Sequence, residues 1–258
     1  MHARLSNMNA VDETTAAVPK VAIRAIRKGF KSLQVIDGID LAVAPGEFVA
    51  IVGPSGCGKS TLMKLLAGFE HPDSGAVMID GVPVTRPTPN AIVISQHGSV
   101  FPWLTVQENL MFGLSGKDHA AKVATADHYA DMVGLKGFEK AYPHELSGGM
   151  LKRVEIARAL AVKPDILFMD EPFSALDALT ALKMRIELLR VLREERHTII
   201  LITHDVEEAI YLADRIVVLS PRPTRVASVF TIAQPHPRKV SLPELQEIKD
   251  AILGQLGL

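Results

Sequence analysis

A glycine-rich segment with a lysine near its end has the residue types and the spacing needed to bind phosphate groups. It directly follows the apolar run 48–52, and its residues are Gly53, Pro54, Ser55, Gly56, Cys57, Gly58, Lys59, Ser60 and Thr61. The pattern is G-x-x-x-x-G-K-[ST]. Its glycines let backbone N–H groups turn inward around phosphate oxygens, and the following helix points its positive end at the same anion. We therefore predict that these residues bind a nucleoside triphosphate; the alternative is a glycine-rich turn with an incidental lysine.

Two acidic residues complement this loop. Asp170 and Glu171 follow the apolar run 166–169. Lys59 is expected to meet the β- and γ-phosphates, while the Ser60 hydroxyl and Asp170 hold Mg²⁺, Asp170 directly or through water. Glu171 is placed to polarise the attacking water as a general base. Without the phosphate loop, two acidic residues after a strand could equally cap a loop or a helix.

The elements that must position these side chains are strands of a parallel sheet. The runs 48–52, 166–169 and 199–202 are continuously apolar, as expected of strands that are buried on both faces. Each run is followed by a polar cluster, and in open α/β sheets ligands bind at the carboxyl ends of such strands. The three clusters therefore predict a single site.

The segment Leu146-Ser147-Gly148-Gly149-Met150 precedes a basic amphipathic helix. A hydroxyl and glycine amides at a helix N-terminus form a second place for an anion. In this order and spacing, the segment resembles the signature of the ATP-binding cassette (ABC) family. The resemblance implies that Ser147, Gly148 and Gly149 bind the γ-phosphate of ATP held by a second copy, in a head-to-tail homodimer. Met150 replaces the family's usual glutamine, and we expect the ATP sandwich to form because Ser147 and the amides remain.

Four further positions match the family pattern, and the resemblance implies their roles. Gln96, after the predicted strand 91–95, corresponds to the glutamine that reaches Mg²⁺ and the attacking water and senses the transmembrane partner. His204 corresponds to the histidine that contacts the γ-phosphate. Asp177 helps to join the two subunits, and Phe30 stacks on adenine. Taken singly, Gln96 could be a solvated turn residue, His204 a structural cap and Phe30 a core residue.

Cys57, inside the phosphate loop, is the chain's single cysteine, which excludes an internal disulfide and a thiolate metal cluster. It is either a small tolerated side chain or a reactive thiol whose pKa is lowered by the polarity of the helix end. In the second case, alkylation blocks hydrolysis and bound ATP protects.

Composition bounds the class of protein. Of 258 residues, 48% are apolar and 22% are charged, and the formal net charge of −1 gives no sign of nucleic acid as a partner. No apolar run approaches the roughly 20 residues of a membrane-spanning helix, so any membrane role must come through a partner.

The predicted fold is α/β: a P-loop NTPase (RecA-like) core with an antiparallel β-subdomain, whose strands include 21–28 and 39–43, and an inserted helical subdomain. We predict a disordered leader at 1–19, an ABC ATPase domain at 20–230 with its helical subdomain at about 98–164, and a tail at 231–258 with a short helix at 242–256. Thr105 and Glu108 have the spacing of a capping box that opens a helix.

A single cassette without spanning helices resembles the ATP-binding subunits of importers, whose permease is a separate chain. Phe101-Pro-Trp103 and the run 218–223 resemble the nitrate/sulfonate/taurine group. The resemblance implies peripheral attachment to the cytoplasmic face of a bacterial inner membrane, transmembrane permease partners, and a periplasmic solute-binding protein reached only indirectly. An ABC ATPase of a lipid transporter, or one outside transport, is the alternative.

Overall fold

A computed structural model describes residues 18–96, 98–194 and 196–257 of the chain. Most of the predicted leader, residues 1–17, lies outside these ranges. The strands are β1 (Val21–Phe30), β2 (Leu33–Val43), β3 (Phe48–Val52), β4 (Ser74–Ile79), β5 (Val82–Pro83), β6 (Ala91–Ile94), β7 (Ile166–Asp170), β8 (Thr198–Ile202), β9 (Arg215–Leu219) and β10 (Val226–Thr231). The α-helices are α1 (Lys59–Leu66), α2 (Val106–Met111), α3 (His119–Met132), α4 (Gly148–Ala161), α5 (Ala178–Glu194), α6 (Val206–Leu212) and α7 (Pro243–Leu256).

The strands form two sheets. The larger has the order β10-β9-β3-β8-β7-β6, in which β9 to β6 run parallel and β10 is antiparallel to β9. The smaller has the order β2-β1-β4-β5 and is antiparallel. The predicted α/β class, with a parallel core and an antiparallel β-sheet beside it, is confirmed.

The larger sheet is covered on both faces, which explains the continuous apolar runs. In β3, Phe48, Ala50 and Val52 join one hydrophobic cluster, whereas Val49 and Ile51 join another on the opposite face. Because successive side chains of a strand alternate between faces, a strand between two apolar layers has no polar positions.

Between β6 and β7 the described residues form helices and no strand. α2 begins with the capping box expected from the sequence: Thr105 Oγ1 accepts the Glu108 N–H at 3.3 Å, and Glu108 Oε2 accepts the Thr105 N–H at 2.8 Å. Val106 and Leu110 of this helix are fully buried against α3 and α4. This segment lies within the range 98–164, and that this range forms a helical subdomain stays a prediction.

The C-terminal residues pack on the same body. β10 extends the larger sheet, and α7 buries Leu245 and Ile252 completely. Arg238, 5% exposed, donates to the carbonyls of Ile210 and Ala213, so it caps the end of α6. Among the described residues, no helix combines the length and the apolar character that crossing a bilayer demands.

Two differences from the expected elements concern strand pairing. β2 begins at Leu33 rather than at residue 39, because residues from Leu33 onward pair with β1 in a hairpin. β4, β5, β9 and β10 were not among the expected strands. The side chains of β10 alternate between half-buried and exposed, and it is an edge strand. The tail helix starts at Pro243, with Leu242 at the N-cap position.

Candidate nucleotide site

The phosphate loop joins β3 to α1 with a backbone that two of its glycines make possible. Gly56 and Gly58 have φ values of 71° and 119°, a region that side chains strongly disfavour. A Cβ atom at Gly58 would also lie 2.7 Å from Cγ1 of Val35. The loop therefore requires glycine at position 58, both for its conformation and for its close approach to β2.

Lys59 is the first residue of α1, and its side chain turns back over the loop. Its Nζ donates to the carbonyl oxygens of Gly53 at 2.8 Å and Pro54 at 3.0 Å, and the residue is only 9% exposed. A full positive charge is thus held over the phosphate loop at a helix N-terminus, an arrangement that attracts an anion.

Ser60 and Asp170 bring α1 and β7 together. Asp170 is buried, and burial raises the pKa of its carboxyl, while a hydrogen bond from Ser60 and the charge of Lys59 oppose the shift. No group of three His, Cys, Asp or Glu residues able to hold a metal occurs in the described parts of the chain. One carboxylate and one hydroxyl are, however, the hard oxygen donors of Mg²⁺ sites in which substrate phosphates complete the coordination, so these residues fit Mg²⁺.

Glu171 is the point at which three strand ends meet. Its carboxylate accepts a hydrogen bond from Gln96 Nε2 at 3.1 Å, and its other oxygen lies 3.1 Å from Nδ1 of His204. Its backbone N–H donates to Ile202, the last residue of β8, at 2.9 Å. Glu171 has a φ of 49°, an uncommon value for a residue other than glycine, and such strain is found at functional sites. The carboxyl ends of β6, β7 and β8 thus place the predicted glutamine, base and histidine in contact.

A buried polar network lies behind His204. The hydroxyl of Thr203 donates to Glu208 Oε2 and accepts the N–H of Asp205 at 3.0 Å. Arg185, from α5, donates to Asp205 at 3.0 Å and lies 3.9 Å from Glu208. Burial raises the pKa of Glu208 to about 7. These bonds hold the residues on both sides of His204 in place.

Phe30, at the end of β1, lies at the mouth of the phosphate loop. Phe30 is 46% exposed, so the alternative of a core phenylalanine is wrong. Its neighbour Leu33 is 49% exposed. Lys28 Nζ lies 5.3 Å from the centre of the Phe30 ring. The residue is thus half-exposed where it lines the cleft.

Phe30, Lys59, Gln96, Asp170 and Glu171 line one cleft of about 490 Å³. The predicted site residues Gly53, Pro54, Cys57 and His204 are not among its lining residues. The lining residues are Phe30, Leu33, Val35, Ser55, Gly56, Gly58, Lys59, Ser60, Thr61, Gln96, Asp170, Glu171 and Arg222. Arg222 was not singled out as a site residue. No sequence signal identifies it, because it reaches the cleft only where the backbone of Thr224 bonds to Val35 and Asp37 of β2.

The signature residues do not line this cleft. Ser147 is the N-cap of α4, and its Oγ accepts the N–H of Met150 at 3.3 Å. Gly149 approaches the loop before α5, because a Cβ atom there would lie 3.4 Å from Leu176. Asp177 caps α5 by accepting the Thr180 N–H at 3.0 Å, and hydrogen bonds from Thr180 lower the pKa of its carboxyl. Ser147, Gly148 and Asp177 are exposed and Gly149 is half-buried, and none of them lines the cleft.

Cys57 is buried beneath the phosphate loop. It is 2% exposed, and its backbone carbonyl accepts a hydrogen bond from the hydroxyl of Thr224. Burial raises the pKa of the thiol, and the charge of Lys59 only partly opposes it. The expectation of a lowered pKa is wrong, because desolvation outweighs the polarity of the helix end.

Comparison with known proteins agrees with this geometry. Residues 36–174 match the family model described as ABC transporter. The chain is 44% identical to a Brucella abortus biovar 1 protein named only for ATP binding, over 91% of this chain and 92% of that protein. It is 43% identical to the aliphatic sulfonates import ATP-binding protein SsuB of Bacillus subtilis, over 89% of both chains. The dimeric ATP-binding cassette MJ0796 bound to ADP and Pi superposes with a TM-score of 0.74 and 29% identity, covering 83% of this chain and all of that one.

Proposed function

The chain belongs to the ABC transporter family and is an ATPase that couples ATP hydrolysis to transport; we propose that it energises the import of a small anionic solute through a separate permease. The observation that carries the importer part of this proposal is the similarity to SsuB over about nine tenths of the chain. The meeting of Gln96, Glu171 and His204 supports the proposed hydrolytic mechanism. The solute is of the sulfonate, nitrate or taurine type.

The similarity to importers supports the solute class. SsuB proteins of Bacillus cereus and Bacillus subtilis, both named for the import of aliphatic sulfonates, are 42% and 43% identical to the chain. For each, the similarity extends over about nine tenths of both proteins. The cassette does not itself contact the solute in this proposal, so the solute is selected by the permease and by a periplasmic solute-binding protein.

In the proposed mechanism, ATP is the substrate and lies in the cleft with its adenine on Phe30 and its phosphates in the loop. Lys59 and the loop amides neutralise the charge that develops during phosphoryl transfer. Glu171 takes the proton of the attacking water, and Gln96 and His204 hold its carboxylate in position. Mg²⁺, held by Ser60, Asp170 and Gln96, supplies further neutralisation of phosphate charge when bound.

A second copy completes the site. Ser147, Gly148 and Gly149 lie outside the chain's own cleft, at the N-terminus of the 14-residue α4. In a head-to-tail dimer they cover the γ-phosphate held by the partner, while Asp177 contributes to the contact between copies. Hydrolysis removes the bridging charge, so that the dimer opens and closes as a two-state switch biased by nucleotide.

The proposed permease contact is an exposed aromatic cluster formed by Phe101, Trp103 and Phe112. The ring of Phe101 lies 5.5 Å from that of Trp103 and 4.4 Å from that of Phe112, and the last two residues are 69% and 65% exposed. Large exposed aromatic groups mark interaction sites. The cluster follows Gln96 closely in sequence. Through this cluster the cassette contacts the permease at the cytoplasmic face of the membrane, and nucleic acid is not a partner.

Two experiments test the proposal. The purified chain is expected to hydrolyse ATP, and Lys59→Ala is expected to lose ATP binding, whereas Lys64→Ala, with the same change one turn further along α1, keeps it. Gentle solubilisation of native membranes with the tagged chain is expected to recover a multi-span permease. Recovery of a permease for a lipid, or of translation or DNA-repair proteins alone, contradicts the importer of small anions.

A further inference from the structure

The helix that carries the signature also holds the loop that carries Gln96. Lys152 and Glu155 lie one turn apart on α4, and both are buried, at 5% and 2% exposure. Their side chains form an ion pair, with Lys152 Nζ 3.0 Å from Glu155 Oε2. Two charges inside a protein need partners, since desolvation is costly.

Both charges also bind the backbone of the loop after β6. Lys152 Nζ donates to the carbonyl oxygen of Ser95 at 2.5 Å, and Glu155 Oε1 accepts the N–H of Ser99. Ser95 directly precedes Gln96, and Ser99 follows it by three residues. The ion pair therefore bonds to the loop on either side of Gln96.

A third charge on the same face of α4 extends the contact. Arg158 donates to the Ser99 hydroxyl at 2.6 Å, and its guanidinium lies 5.0 Å from the ring of Phe101. The loop is thus held at Ser95, at Ser99 and at Phe101 by side chains spaced three residues apart on one helix. Residues at this spacing share a helix face.

A purely stabilising role accounts poorly for this arrangement. A buried ion pair contributes little net stability, because an apolar pair of similar volume often replaces it without loss. Its directed hydrogen bonds, in contrast, fix backbone atoms that an apolar pair cannot hold.

We propose that Lys152 and Glu155 are positioning residues, which fasten Gln96 against Glu171 and make the position of Gln96 depend on the placement of the signature helix. This inference rests on the proposed function, in which Gln96 serves hydrolysis and Ser147 at the start of α4 meets the partner's nucleotide. Closure of the dimer on Ser147 then acts on the chain's own Gln96 through one rigid helix.

The test uses the double variant K152M/E155L, which removes both loop hydrogen bonds and leaves neither residue of the pair as an unpaired charge. In steady-state ATP hydrolysis, its kcat is expected to fall about tenfold or more while KM for ATP changes less than about threefold, since a small misplacement of a catalytic group lowers the rate and leaves the phosphate loop intact. K136M, which removes an exposed lysine that pairs with Asp131, is the control and is expected to match the wild type.

The same double variant in a Q96A background separates positioning from other effects. If the pair acts through Gln96, adding K152M/E155L to Q96A lowers kcat by less than about twofold, because the two changes then affect one group. An undiminished loss in that background, or an unchanged kcat in the wild-type background, overturns the inference. An inactive wild type or a fully active Q96A overturns the proposed function instead, and the inference with it.

Amide hydrogen exchange tests the hydrogen bond from the Ser99 N–H to Glu155 in the wild-type protein, so it does not depend on the folding of a variant. The Ser99 N–H of the wild type is expected to exchange as slowly as the interior N–H groups of α4. Exchange at the rate of exposed loop amides overturns the anchor.

Discussion

Replacing Glu208 with glutamine is expected to change how stability depends on pH. Glu208 is 3% exposed, and burial raises the pKa of its carboxyl from 4.5 to about 7. The hydrogen bond from Thr203 and the charges of Arg185 and His204 oppose this rise, and the charge of Asp205 adds to it. Between these two values the unfolded chain has lost the proton and the folded chain has kept it, so stability falls as the pH rises. At about 1.4 kcal/mol per pK unit, the destabilisation is on the order of 3 kcal/mol above pH 7 and less than about 1 kcal/mol at pH 5.

Glutamine keeps the shape of the side chain and the hydrogen bond to Thr203, and it carries no charge. Urea unfolding of the wild type and Glu208→Gln at pH 5 and pH 8 is therefore expected to show the variant gaining about 2–3 kcal/mol relative to the wild type between the two pH values. Glu207→Gln is the matched control: its carboxylate is exposed and pairs with Lys249, so the change is expected to stay below about 1 kcal/mol at both pH values. An equal effect of Glu208→Gln at pH 5 and pH 8 refutes the reasoning.

Three further predictions concern the cleft. Gly58→Ala is expected to destabilise the protein by about 1–3 kcal/mol and to weaken ATP binding, because the φ of Gly58 is 119° and a Cβ atom would meet Val35. Thermal unfolding and ATP titration measure the two effects, and a wild-type affinity for ATP contradicts the prediction. Phe30→Ala is expected to raise KM for ATP about tenfold, because about 1–3 kcal/mol of stacking on adenine is lost, whereas Phe30→Trp is expected to keep the wild-type KM. Equal KM values for the wild type and Phe30→Ala would show that Phe30 does not stack on adenine. Cys57 is expected to react with an alkylating reagent far more slowly than a thiol in the unfolded chain, and rapid labelling of the native protein argues against its burial.

The site was the part of the molecule most open to prediction from the sequence. The phosphate loop and Asp170 directly follow a continuous apolar run and His204 follows one by two residues, so local spacing located them. The rule that ligands bind at the carboxyl ends of parallel strands then predicted their convergence, which the contacts of Glu171 with Gln96 and His204 display.

Features that depend on distant contacts could not be predicted in this way. Arg222 lines the cleft because Thr224 bonds to the backbone of β2, far away in sequence. Burial raises the pKa of Cys57, which agrees with a small tolerated side chain and contradicts the alternative of a reactive thiol with a lowered pKa. β10 is an edge strand whose pairing with β9 decides its structure more than its composition does.

The ion pair of Lys152 and Glu155 illustrates the same limit. In sequence, a lysine and a glutamate three residues apart on a helix indicate a solvated surface pair. The fold buries them because the loop after β6 lies across α4, and only the folded structure shows that their hydrogen bonds surround Gln96.

In the proposed mechanism, Glu171 is the base of a site that a second copy completes. The most direct measurement is sedimentation of Glu171→Gln with and without MgATP, together with its rate of ATP hydrolysis. We expect turnover to fall about 100-fold or more, as loss of a general base implies, and the variant to form a stable dimer that needs ATP and is lost on further mutation of Ser147 to Arg. A Glu171→Gln protein that hydrolyses ATP at the wild-type rate and stays monomeric with ATP contradicts the account.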